Sequence, residues 1–451
     1  VTTAYTDIHG VRHGENALVL KPVLKSEHSI RDSDAMLHEA VELARAIDLN
    51  VVESAVINVA HPNPNALIGK GQAEHYGSII KELKIDLAII DHTLTPVQQR
   101  NLEEEWKCKV IDRTGLILEI FGDRARTREG QVQVELAALN YQKSRLVKSW
   151  SHLERQRGGF GFLGGPGESQ LELDRRLINE RIIRLKEELK QVRRTRGLQR
   201  EARQRAEHPT IALVGYTNAG KSTLFNRITG ADVLAKNMLF ATLDPTMRGI
   251  KLPSGREAVL SDTVGFISDL PTQLVEAFRA TLEEVELADI ILHVHDVMHP
   301  EARSQKEAVM SILADLGVSG MDERLVEVMN KIDLMPDADR KNLQSFAAKT
   351  TWDATHAKPI TGLRHEARGG TIGVSALTGE GIPELLQLLD DKLAAFNQVY
   401  EIDVPHADGA ALSWLHAHGK IIEQRDTKTK AHIKIELSAA DYGRYQSRFG
   451  K

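Results

Sequence analysis

The chain has one cysteine in 451 residues, Cys108, so it can form no intrachain disulfide and no cysteine-rich zinc site. That scarcity suits a reducing compartment. Cys108 sits in the apolar stretch KCKVID and reads as a core thiol rather than a reactive one. No apolar run approaches the ~18 residues a membrane helix needs. The first residues, VTTAYTDIHG, lack the charged-then-apolar order of a secretory signal. A soluble cytoplasmic protein without a membrane span is therefore expected. Four histidines near the end, His406, His416, His418 and His432, have no carboxylate cluster beside them, and His416 and His418 are two apart, so no metal site is expected there.

What is present is length and an uneven charge. A chain of this size exceeds what one core usually serves, and several domains are expected. The net charge of −5 conceals a basic segment: Arg113–Ala206 holds 21 Lys and Arg against 12 Asp and Glu, which leaves the rest strongly acidic. A basic element on an acidic protein points to a local polyanion partner such as nucleic acid, against the plainer reading of a solvated helix surface.

Residues 1–112 alternate apolar strands (ENALVLKPVL, VVESAVINVA, IDLAIIDH, CKVID) with amphipathic helical patterns, as in Met36, Leu37, Ala40, Val41, Ala44 and Ile47. The order predicts an N-terminal α/β domain with a largely parallel sheet. GKG at Gly69–Gly71 could approach a phosphate, but it lacks the rest of a phosphate-loop pattern and reads rather as an ordinary turn and helix start.

After Arg113 the period changes. Val132, Leu136, Leu139, Lys143, Leu146, Trp150 and Leu153, and then Ile178, Ile182, Leu185, Leu189 and Val192, recur at spacings of four and three. Two such seams joined by a short segment predict an antiparallel helical hairpin over 113–206. Its tip, GGFGFLGGPG, has six glycines in ten positions. Arg155, Arg157, Gly158, Gly159, Phe160, Phe162, Arg175 and Arg176 make this tip a candidate RNA contact, since glycines allow close approach, phenylalanines stack on bases and arginines pair with phosphates. The alternative is a helix–helix loop whose phenylalanines tuck back onto the hairpin.

The chemistry lies in 207–395, where a mostly parallel sheet of the phosphate-loop type is expected. The strand IALVG runs into Gly215, Tyr216, Thr217, Asn218, Ala219, Gly220, Lys221 and Ser222, and then into a helical pattern. This is the context that makes GxxxxGKS specific: backbone amides wrap phosphates, Lys221 reaches the β- and γ-phosphates, and Ser222 holds Mg²⁺. DTVG, Asp262, Thr263, Val264 and Gly265, supplies a carboxylate behind Mg²⁺ and an amide for the γ-phosphate. NKID, Asn330, Lys331, Ile332 and Asp333, places a carboxylate that can accept from guanine's N1–H and exocyclic amine, neither of which adenine offers. SAL, Ser375, Ala376 and Leu377, adds a backbone contact to the base. In FATLDPT the segment Phe240, Ala241, Thr242, Leu243 and Asp244 reads as a switch, with Thr242 preferred over Thr246 as second magnesium ligand. Lys221, Thr242 and Gly265 are the candidate catalytic residues, and GTP and GDP the ligands.

FATLDPT, GYTNAGKST, DTVGFI, RTGLILEIFGDRARTREGQVQVELAALNY and GGPGESQLELDRR resemble the HflX family of translation-factor-type GTPases, over about residues 50–400. The resemblance implies an N-terminal α/β domain, a helical hairpin, a GTPase domain, Mg²⁺ on Ser222 and Thr242, and a factor that binds the ribosome, chiefly its large subunit and rRNA, and splits stalled or idle ribosomes. It also allows ATP binding at the N-terminal domain. A small α+β tail is expected over 396–451. Phe266 stands where Ras-like proteins carry a water-orienting glutamine, so intrinsic hydrolysis is expected to be slow and to need help from the ribosome, or from K⁺ beside Asn218; otherwise Asn218 shapes the loop. An ATP-dependent RNA remodeller and a GTP-gated protein adaptor remain as other readings.

Overall fold

The computed structural model describes residues 13–25, 31–156, 166–205, 208–231, 239–240, 246–268, 282, 284–320, 322–340, 370–395 and 397–449. At the N-terminus β1 (Asn16–Leu24), β2 (Asn50–Val59), β3 (Leu87–Ile90) and β4 (Lys109–Asp112) form a parallel sheet in the order β2-β1-β3-β4. Parallel strands need crossovers, and the crossovers are α1 (Ser33–Arg45), α2 (Lys70–Glu82) and α3 (Pro96–Trp106). Local chemistry starts these helices. Asp32 accepts from the Ala35 amide, and Thr95 and Gln98 form a capping box ahead of Pro96. The strand order reverses between β1 and β3, so their loops leave in opposite directions and open a crevice at the carboxyl ends. Cys108 is buried in this domain, and burial pushes its thiol up to about 12, as expected of an inert side chain.

Helix α4 (Arg113–Arg124) begins on the Asp112 cap and lies against the same sheet, with Leu116, Ile117, Ile120 and Phe121 buried beside Ala40 and Leu43 of α1. The change of period at Arg113 grouped this helix with the hairpin, but every residue from Arg113 to Phe121 is buried, which is the signature of a core helix rather than of a seam.

The hairpin consists of α5 (Arg128–Gln156) and α6 (Pro166–Arg205). Val132, Leu136 and Leu139 pack against Leu185 and Leu189, and the ion pairs Arg128–Glu188 (2.6 Å) and Arg181–Glu135 (2.7 Å) fix the antiparallel sense. Its root is polar. Tyr141 donates to Asp112 Oδ1 (2.6 Å) and Arg145 to Asp112 Oδ2 (2.5 Å), tying α5 to the carboxyl end of β4.

The third unit is a six-stranded sheet in the order β10-β9-β8-β5-β7-β6, built from β5 (Thr210–Val214), β6 (Thr246–Lys251), β7 (Glu257–Asp262), β8 (Ile290–Asp296), β9 (Leu325–Asn330) and β10 (Thr371–Gly373). Only β6 runs antiparallel to its neighbour. Helices α7 (Lys221–Thr229), α8 (Ala302–Asp315) and α9 (Ile382–Ala395) flank it. One apolar core runs from this sheet into the N-terminal domain, and the Phe240 ring meets Phe121 edge-on at 4.7 Å. The last unit is the antiparallel sheet β11 (Asn397–Pro405), β13 (Lys430–Ser438), β12 (Lys420–Asp426), backed by α10 (Gly409–His418) and α11 (Ala439–Phe449) over a core of Val404, Leu415, Ile433 and Leu437. Among the described residues no helix is long and apolar enough to cross a membrane.

Candidate functional site

The phosphate loop turns out of β5 at Gly215, and only glycine fits there: its φ is +152°, and a Cβ would lie 2.1 Å from the Val294 carbonyl oxygen. Gly220 caps α7 at φ +93°, where a Cβ would meet Asn330 Nδ2 at 2.1 Å. These positions leave a concave backbone at a helix N-terminus, which is the geometry that receives phosphate. Lys221 is buried in it and donates to the carbonyls of Gly215 (3.0 Å) and Tyr216 (2.7 Å). Burial lowers its ammonium to about 8, although the charge of Asp262 pulls the other way.

Ser222 Oγ donates to Asp262 Oδ2 at 2.7 Å, so a hydroxyl from α7 and a carboxylate from the end of β7 meet at one point. This pair of hard oxygens fits Mg²⁺. Thr263 and Val264 are buried, and the Thr263 hydroxyl is spent on the Leu213 carbonyl (2.6 Å), so each has only its backbone left to offer a ligand. Gly265 lies over the phosphate loop, where a Cβ would stand 2.9 Å from Thr217 Cγ2 and 3.1 Å from Lys221 Nζ. Next to it, Phe266 accepts from the Thr217 amide (2.7 Å) and donates to the Gly215 carbonyl (3.1 Å), with its side chain in the core. It presents no polar atom for water.

The base end is assembled by Asn330, whose amide donates to the Ala219 carbonyl (2.8 Å) and accepts from the Ala376 amide (3.0 Å). One side chain thus fastens the phosphate loop to the SAL turn. Lys331, at φ +66°, is held by Asp296 (2.7 Å), and Ile332 is buried. Ser375 is buried, and Arg227 secures the carbonyls of Ala376 (3.1 Å) and Leu377. Asp333 stands half-buried on the 3₁₀ turn Ile332–Leu334 and takes no hydrogen bond among the described residues, so its carboxylate is open to a base. Asn218 is exposed at φ +59° on the loop's rim.

Not every expected residue faces this site. The ring of Phe240 is in the shared core, which leaves only its backbone for a nucleotide. Ala241, Thr242, Leu243 and Asp244, and at the hairpin tip Arg157, Gly158, Gly159, Phe160 and Phe162, lie outside the described residues, as does the side chain of Arg155 on α5. Arg175 is exposed on α6, and Arg176 pairs with Glu180 (3.1 Å). At Gly69–Gly71 the Gly69 amide is taken by Gln72 Oε1 (3.0 Å), a helix cap.

The sequence reading missed a buried polar cluster that joins the phosphate loop to the N-terminal domain. The Tyr216 hydroxyl donates to Glu39 Oε2 (2.5 Å) and accepts from the Ser268 amide (2.9 Å). Arg113 donates to Glu39 Oε1 (2.7 Å), Asp91 Oδ1 (2.6 Å) and the Ser268 carbonyl (2.9 Å), and Arg31 bridges Glu39 (2.9 Å) and Glu301 (2.7 Å). Burial alone would raise the Glu39 carboxyl, but Arg113, Arg31 and the Tyr216 hydrogen bond outweigh it and hold it below its ordinary value. The available signal was positional, since Arg31, Asp91 and Arg113 follow the carboxyl ends of β1, β3 and β4.

Lys221 makes nucleotide binding sensitive to pH. Phosphates raise the proton affinity of an ammonium they touch, so above pH 8 binding must take up the proton that the free site has released. Titration calorimetry of GDP at pH 8 in buffers of different ionisation enthalpy is expected to show uptake of about half a proton. Zero uptake would mean that Lys221 is fully charged in the free chain.

Comparison with known protein families matches "GTP-binding GTPase N-terminal" at residues 34–122, "GTP-binding GTPase Middle Region" at 124–203, "50S ribosome-binding GTPase" at 210–331 and "HflX C-terminal domain" at 362–451. The chain is 50% identical over 411 residues to the GTPase HflX of Magnetococcus marinus, covering 91% of this chain and 90% of that one. It is 41% identical over 396 residues to the GTPase HflX of Escherichia coli, covering 88% and 87%. Among solved structures it is similar to a GTP-binding protein from Sulfolobus solfataricus in complex with GDP, at 24% identity and TM-score 0.44, covering 84% of this chain and 99% of that one.

Proposed function

The chain belongs to the HflX family of GTPases, and from that premise we propose that it binds the large ribosomal subunit and, in its GTP state, parts stalled or idle ribosomes into subunits. It is a GTP hydrolase; hydrolysis resets the factor. The observation that carries the reading is the joining of two parts. A guanine-nucleotide site shares a core with a domain from whose strand end, at Asp112, a basic antiparallel hairpin projects. The hairpin tip, with Arg155, Arg157, Phe160, Phe162, Arg175 and Arg176, meets ribosomal RNA by phosphate pairing and stacking. Differential affinity of the GTP and GDP states for the ribosome drives the step, since a nucleotide that altered no affinity could shift no equilibrium.

Ser222, with Asp262 behind it, and Thr242 as a second side-chain ligand would hold Mg²⁺, which would supply neutralisation of phosphate charge. Lys221 and the loop amides orient the phosphates, and Gly265 offers its amide to the γ-phosphate. With Phe266 unable to orient water, the missing help comes from the ribosome or from K⁺ at Asn218. GTP turnover measured with and without large subunits, in K⁺ and then in Na⁺, tests this. A large subunit-dependent rise is expected, and the cation effect assigns the source. No rise in either salt would leave a nucleotide switch with another target. Deleting Gly158–Gly167 is expected to leave GTP binding intact and remove splitting, measured by sedimentation of subunits; unchanged splitting would refute the tip's role. An ATP-driven remodeller working through the N-terminal domain has less support, because the Gly69 amide is already used in capping.

A further inference from the structure

In an open α/β sheet of the order β2-β1-β3-β4, the crevice at the carboxyl ends of β1 and β3 is where a ligand is taken. Here the crevice is lined by Arg31, Glu39, Asp91 and Arg113, and what enters it is the nucleotide domain itself. Ser268, three residues beyond Gly265, gives its carbonyl to Arg113 and its amide to the Tyr216 hydroxyl, which in turn donates to Glu39. Tyr216 is a residue of the phosphate loop, and its carbonyl is one of the two that hold Lys221. Loop, lysine, DTVG segment and N-terminal domain are thus connected through one phenol.

We propose that this crevice is a receptor for residues 266–268, directly after DTVG, in which Glu39 and Arg113 are positioning residues that clamp Ser268 and Tyr216 in the arrangement seen here. The clamp matters because Gly265 lies against Lys221 and Thr217, with the Thr217 amide bonded to Phe266. A γ-phosphate has to come between Lys221 and Gly265, and the segment carrying Ser268 must shift to admit it. A diphosphate makes no such demand. The clamp therefore opposes the triphosphate, and by reciprocity GTP loosens the contact between the two domains. This inference rests on the guanine-nucleotide site and not on the ribosome as target.

The test uses the full-length chain without ribosomes, measuring equilibrium affinities for a fluorescent GDP and a non-hydrolysable GTP analogue. Glu39→Gln is expected to leave GDP affinity within about twofold and to tighten the analogue relative to GDP by at least about fivefold. Tyr216→Phe is expected to move the ratio in the same direction, and the double variant by less than the sum of the two single ones, because the two side chains share one bond. Should Glu39→Gln fail to fold, Tyr216→Phe, which removes both the donor to Glu39 and the acceptor of the Ser268 amide, carries the same test. A ratio that is unchanged or falls, or affinities that move together, overturns the clamp and leaves ribosome-stimulated turnover untouched. Loss of stimulated turnover with the ratio effect intact would sink the ribosome reading alone.

Discussion

Asp333→Asn is expected to weaken GTP and GDP binding by about 10²–10⁴-fold and to make the chain prefer xanthine nucleotides. The magnitude follows from two charge-assisted hydrogen bonds, each worth ~1.5–3 kcal/mol, from guanine's N1–H and exocyclic amine to one carboxylate. Asparagine can still accept from N1–H, but its amide then points a donor at the guanine amine. Xanthine has a carbonyl at that position and turns the clash into a hydrogen bond. Asp333 takes no hydrogen bond among the described residues, so the change should leave the fold alone. Competition by GTP, XTP and ATP against a fluorescent nucleotide checks it. If Asp333→Asn still preferred guanine by the wild-type margin, the carboxylate would not be what reads the base.

How much of this was legible in advance depended on how local the physics was. The phosphate loop was legible because Gly215, Gly220 and Lys221 are neighbours whose backbone needs are written in their own types. The hairpin was legible because Val132, Leu136, Leu185 and Leu189 repeat at the spacing of a helix face. Helix α4 was misgrouped because its residues are buried on every side, which erases a stripe. Phe240 was read as a nucleotide contact from the motif around it, whereas its ring answers to Phe121 from another domain. The Tyr216–Glu39 bond joins residues 177 positions apart, and Tyr216 occupies a place in GxxxxGKS where the pattern tolerates any residue. No spacing rule reaches such a pair; only the strand ends that carry Arg31, Asp91 and Arg113 pointed towards it.

Lys221→Ala separates what this residue does for the fold from what it does for function. In the free chain the ammonium is desolvated, which is why burial pulls it down to about 8, and among the described residues its compensation is two loop carbonyls and the charge of Asp262. Removing it relieves that desolvation while leaving the carbonyls without a donor, so the nucleotide-free variant is expected to unfold within ~1–2 kcal/mol of wild type. Binding is another matter. A desolvated ammonium against the β- and γ-phosphates has no replacement, and truncating one partner of such a pair costs ~2–5 kcal/mol or more, about 30-fold to several thousandfold in affinity. Thermal unfolding distinguishes the two effects in one experiment. GDP at a hundred times the wild-type Kd should stabilise wild type by ~2.7 kcal/mol and Lys221→Ala by no more than ~0.9 kcal/mol, with GTP turnover lost in parallel. Equal stabilisation of both proteins would mean that the loop amides alone hold the phosphates, and the catalytic role of Lys221 would fall with its binding role.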